Sequence, residues 1–138
     1  MDNVRVLGPP RQETKVEAAM TEQFRLGIHP PIHESGDLRN TPGVTLEGTA
    51  GQASIAYGVI CAQRHIHMSP ADALRFGLRD RYVVQIKVGG DRELVFGDVL
   101  MRVHPDYRLA MHIDTDKANT TNIVTGTLGT IAKIQSRA

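Results

Sequence analysis

The sequence predicts a mainly β fold: small β-barrel domains capped by short α-helices. Short strand-like runs alternate with short helical segments and with turns rich in Gly and Pro. No helical pattern of roughly ten residues falls between strands, which argues against a doubly wound parallel sheet. The chain, at 138 residues, has the size of one ordinary domain or of two very small ones.

Val4 and Val6 alternate around Arg5, so residues 3–7 suit a short strand that Gly8, Pro9 and Pro10 stop. Residues 14–19 fit a strand or a helix start equally. Residues 21–26 read as a short helix, with Thr21 as cap, Glu22 and Gln23 in the first turn and Gly27 at the end. From 28 to 43, three prolines, two glycines and Asn40 make a long surface loop. Residues 44–46 and 54–59 then form a hairpin around Gly48 and Gly51, and Ile60 and Cys61 extend its apolar run.

Ser69 followed by Pro70 is a helix entry, because Ser can accept from a free backbone N–H and Pro needs none at the first helical position. That helix covers 71–76 and stops at Gly77. Residues 82–88 and 93–96 are paired strands about the Gly89-Gly90-Asp91 turn. Residues 99–103 form a further strand closed by His104-Pro105-Asp106, residues 109–113 extend again, and 114–119 begin a last helix capped by Asp or Thr.

Composition narrows the function. The formal net charge of +1 and the aromatic content of 4%, without Trp, give no basis for a nucleic-acid surface or a stacking platform. No run approaches the roughly 18 apolar residues of a membrane span, and the polar start MDNVRVLGPPRQETK is unlike a signal peptide. A single cysteine, Cys61, excludes an intramolecular disulfide and suits a reducing, cytoplasmic compartment. Its place in an apolar run assigns it to packing.

The chemistry concentrates in Arg64-His65-Ile66-His67-Met68-Ser69-Pro70. His-x-His on a strand sends both imidazoles to one face, because side chains alternate with a period of two. Two ring nitrogens can then reach one cation at about 2.0–2.1 Å; two unrelated histidines are the plainer reading. His112, flanked by apolar residues in a strand expected to be buried, is either a satisfied core histidine or a third nitrogen ligand. Three nitrogens are the ligand count of an open zinc site. Asp114 and Asp116 could orient the imidazoles or cap a helix. His29, His33 and His104 sit among prolines and read as exposed. Arg11 follows a stiff Gly-Pro-Pro turn, and its guanidinium matches phosphate oxygens in a bidentate fork, although a solvated arginine explains it as well. Glu17, between Val16 and Ala18, is a carboxylate ligand or a surface residue.

The segments NVRVLGPPRQETKVE, LGIHPPIHESGDLRNTPGVTLEG, GVICAQRHIHMSPADALRFGL and LVFGDVLMRVHPDYRLAMHIDTDKAN together resemble the phosphate propanoyltransferase family, the PduL-type phosphotransacylases. The resemblance runs along essentially the whole chain, with the motifs in the family's order. It implies two β-barrel domains: the remainder of the first over 1–58, with its loop, and the second over 59–138, carrying the His-x-His motif. It also implies two metals, usually zinc, at a site between the domains. Carried over by position, His65, His67 and His112 bind one metal, Glu17 helps to bind the other, Arg11 holds the phosphate and Phe24 packs on the adenine of coenzyme A. A core phenylalanine explains Phe24 equally well.

The implied reaction is acyl-CoA plus phosphate to acyl phosphate plus CoA, with propanoyl-CoA as the usual substrate. A family segment bearing an earlier His-x-His does not precede Asn3, so a fragment, or one half of a split enzyme with one zinc retained, is expected. The implied partners are acyl-CoA, phosphate, the missing N-terminal segment or a second chain that supplies it, microcompartment shell or core proteins, and a second copy in a homo-oligomer. The implied location is the cytoplasm or a bacterial microcompartment lumen. The competing functions are a metal-dependent hydrolase and a metal-stabilised β-barrel scaffold with no activity of its own.

Overall fold

The computed structural model describes residues Met1–Arg137. It is mainly β, with three short α-helices, and divides into a unit over Met1–Ala62 and a second from Gln63 onward.

In the first unit, β5 (Val59–Ala62) is the central strand of three. Two-residue strands β1 (Val16–Glu17) and β2 (Ile32–His33) flank it, both parallel to it. Val59, Ile60 and Cys61 are all within 1% of complete burial, which is why this apolar run holds the centre. The hairpin pairs β3 (Val44–Gly48) with β4 (Gly51–Ile55), so it does not run on to Val59 as expected. Gly58 breaks it: its φ is +120°, and a Cβ there would meet Thr14 O at 2.5 Å. Thr41, buried, ties the turn together by donating to Leu38 O at 2.7 Å and accepting from Gly58 N–H at 2.8 Å. β5 pairs with β1 and β2, and the first unit accordingly runs to Ala62.

Residues 3–7 form no strand: alternation without a ladder partner does not hold a strand, and Val6 and Leu7 are exposed. A 3-10 turn, Met20–Glu22, leads into α1 (Gln23–Leu26), which ends at left-handed Gly27. Thr21 is not the cap. Ala19 holds that position, and the Glu22 carboxylate accepts its N–H at 2.8 Å.

The second unit is a five-stranded sheet in the order β10-β7-β8-β6-β9. β6 (His65–Met68) runs parallel to β8 (Leu94–Val103) and antiparallel to β9 (Ala110–His112). α2 (Pro70–Phe76) starts as expected: Ser69 Oγ accepts from Asp72 N–H, Pro70 is the first residue, and left-handed Gly77 closes it. β7 (Val83–Val88) pairs with β8, which is one strand where the sequence suggested two. An irregularity facing Val84–Ile86 absorbs the extra residues at Gly97 and Asp98, and Asp98 takes φ +51° there. Arg64 Nε donates to Gly97 O, securing the start of β6 against this bulge. Beyond Asn119, where the sequence predicts no element, β10 (Thr130–Ser136) pairs with β7.

One face of this sheet carries the core: Ile66, Met68, Val84, Ile86, Val88, Phe96, Val99 and Met101, joined by Ala73 and Leu78. Ile66 and Met68 point into it, so the alternate residues His65 and His67 must leave β6 on the opposite face.

Candidate metal centre

Register sets the geometry of the site. On β6, His65 pairs with His112 of β9 on one side and with Leu100 of β8 on the other. Directly paired residues project to the same face, so His65, His67 and His112 emerge together. Their ring centroids lie 4.6–5.0 Å apart, with His65 and His112 stacked at 11°. One ring nitrogen from each falls within 4.8 Å of the other two. A tetrahedral ion bound at about 2.0–2.1 Å holds its ligands roughly 3.4 Å apart, a distance that modest side-chain rotation reaches. The three imidazoles are therefore close enough to hold a metal ion.

The local hydrogen bonding fits that use. His65 Nδ1 lies 2.8 Å from Gln63 O, so as the donor it leaves Nε2 with a lone pair, the arrangement in which a ligating histidine is oriented through its other nitrogen. His67 Nε2 is shut off from solvent. Burial is graded: His65 is buried, His67 intermediate and His112 exposed. The expectation of a buried His112 is thus corrected. β9 is an edge strand, and pairing with His65, not burial, brings His112 to the cluster.

Asp114 is the N-cap of α3 (Thr115–Thr121), accepting from Lys117 N–H at 3.0 Å and pairing with the Lys117 ammonium. Asp116 lies in the first turn of the same helix. Tyr107, which the sequence did not single out, stacks on His67 with centroids 4.0 Å apart and planes at 16°. Its position in the turn after β8 carries no periodic signal that would have marked it. His29 and His104 are exposed and His33 is half-buried, with Nδ1 2.9 Å from Asp37 O.

The remaining candidates belong to the first unit. Arg11 is exposed in the loop before β1. Glu17 accepts from Lys15 Nζ at 2.7 Å and from Ser35 Oγ at 2.9 Å, and Lys15 also donates to Ser35 Oγ at 2.6 Å. Phe24 is 79% exposed, which removes the core reading of that ring. An open cavity of about 550 Å³ in the same unit is lined by Glu13, Asp37, Arg39 and Tyr57 among others. There Arg39 Nε and Nη2 donate to the two Asp37 oxygens at 2.8 and 2.7 Å, and these bonds hold the Asp37 carboxyl well below its usual range. The Tyr57 hydroxyl donates to Glu13 at 2.6 Å, which raises its pKa.

Fold and cluster together define a mainly β protein with a three-imidazole site of the size that holds one metal ion. The family model described as phosphate propanoyltransferase matches residues 1–124, and the chain belongs to that family. Curated relatives with the same name come from Thermotoga maritima, 50% identical over 93% of this chain, Enterococcus faecalis, 45% over 95%, and Shewanella putrefaciens, 48% over 89%. The chain spans 61%, 62% and 59% of those relatives' lengths, respectively. No helix among the described residues is long and apolar enough to cross a membrane.

Proposed function

We propose that this chain forms the greater part of a metal-dependent phosphate acyltransferase that exchanges a short acyl group, propanoyl foremost, between CoA and phosphate. The convergence of His65, His67 and His112 in a chain of this family is the observation that carries the reading. Three neutral imidazoles suit zinc among the divalent ions. A metal held there supplies Lewis-acid stabilisation to charge developing on a thioester oxygen or a departing thiolate.

The rest is work for the chain's own groups. A phosphate oxygen attacks the thioester carbonyl, the C–O bond forms, the C–S bond breaks and CoA leaves as a thiolate. Phosphate is already an oxyanion, so no protein nucleophile is needed. Arg11 would hold it by a bidentate fork, making the attack effectively intramolecular. Phe24, exposed, would pack on the adenine of CoA. Glu17 would serve a second metal by exchanging its contact with Lys15. Such an exchange is cheap, because an exposed ion pair contributes about 0–1 kcal/mol. In the same reading each unit is part of a β-barrel, and the protein works in the cytoplasm or a microcompartment lumen.

The test follows thiol release from propanoyl-CoA and traps acyl phosphate with hydroxylamine. It is run on the zinc-loaded chain alone and on the chain supplied with the part of the Thermotoga maritima relative that the match leaves uncovered. Phosphate-dependent release with matching hydroxamate is the expected result. Release that ignores phosphate makes the protein a hydrolase, and no thiol release under either condition makes it a scaffold.

A further inference from the structure

His67 is gripped by a residue outside the histidine set. Tyr107 N–H donates to His104 O at 3.0 Å, closing a turn, and His104 N–H donates to Met68 O at 3.1 Å. These two bonds fasten the turn to the end of β6, one residue beyond His67. They bring the Tyr107 ring parallel to the His67 imidazole, 4.0 Å away, whereas His65 and His112 meet that imidazole at tilts of 48° and 52°. His104 backs Tyr107 in turn, at 5.2 Å and 48°. An imidazole covered by a parallel ring can rotate only by displacing that ring. The π-face of a phenol also attracts the partial positive charge that an imidazole gains when it ligates a cation.

We propose that Tyr107 is a positioning residue for the metal cluster: its stack fixes the plane of His67 so that a ring nitrogen faces His65 and His112 before any ion arrives. This rests on the metal reading of the cluster and goes beyond it, because it gives a role to a residue that is no ligand. Pre-orientation lowers the ordering cost of binding. Removing a group that orients a ligand typically weakens metal affinity about 10–100-fold.

The experiment is titration of the metal-free chain with Co(II), reading its visible d–d absorption and obtaining affinity by chelator competition. The variants are Tyr107→Phe, Tyr107→Leu and Tyr107→Ala, with circular dichroism as the folding control. Tyr107→Phe keeps the stack and should bind within about 3-fold of the parent with the same spectrum, since 10-fold is the least expected for a lost orienting group. Tyr107→Leu keeps much of the bulk but not the flat ring, and should bind about 10–100-fold more weakly with an altered spectrum. If Tyr107→Ala does not fold, Tyr107→Leu decides. Parent-like affinity and spectrum in Tyr107→Leu overturn the role of Tyr107 while leaving the metal centre intact. Failure of the parent chain to bind Co(II) overturns the metal centre itself.

Discussion

His112→Ala separates ligation from folding better than a change at either other histidine. His112 is exposed at the end of β9, an edge strand of the sheet, so its loss opens no core cavity. The metal-free variant loses the stacking of His112 on His65, about 0.5–1.5 kcal/mol for an aromatic pair. The metal-bound state loses far more, since one of three nitrogens disappears. A ligand present at 100 times its Kd stabilises a folded protein by about 2.7 kcal/mol. At about 4–8 °C per kcal/mol for a domain of 60–100 residues, zinc should raise the Tm of the second unit by roughly 10–20 °C in the parent chain. In His112→Ala that rise should shrink to a few degrees, while the metal-free Tm falls by no more than about 12 °C. Differential scanning calorimetry with and without zinc reads both numbers. An undiminished zinc shift in the variant would refute His112 as a ligand. A metal-free variant that no longer unfolds cooperatively would refute the claim that its role lies outside the fold.

Three further outcomes test the packing and the electrostatics. Met101→Ala removes a completely buried side chain from the core face of β8 and should cost about 2–5 kcal/mol, read from the urea midpoint. Gly43→Ala places a Cβ 2.0 Å from Ile55 O and 2.7 Å from Ala56 C, both backbone atoms; the hairpin must shift, and a loss of at least about 1–3 kcal/mol is expected from the same measurement. Asp37→Asn should matter only above the acid range. Arg39 lowers the folded-state pKa of Asp37, so the carboxylate favours the folded state above its unfolded value of about 3.9, and that advantage fades as pH falls from there toward the lowered folded value. The stability gap between parent and Asp37→Asn, small because the pair is exposed, should therefore narrow below about pH 4 in pH-dependent thermal melts.

What the sequence determined by itself was local. Ser69, Pro70 and Gly77 specify both ends of α2, because a cap, a fixed φ and a left-handed stop each act within one turn. The period of two on β6 sends His65 and His67 to one face, and Asp114 caps α3 as one of its two readings required. Tertiary structure decided everything that depends on which strand lies beside which. The pairing of His65 with His112, the parallel flanking of β5 and the stack of Tyr107 on His67 each join segments far apart in the chain, and the bulge that makes β8 one strand is set by its pairing with β7. Such contacts are chosen by competition among all the apolar faces for burial and among all the backbone groups for partners. No window of a few residues contains that competition, so the three histidines could be singled out from the sequence while the geometry that brings them together could not.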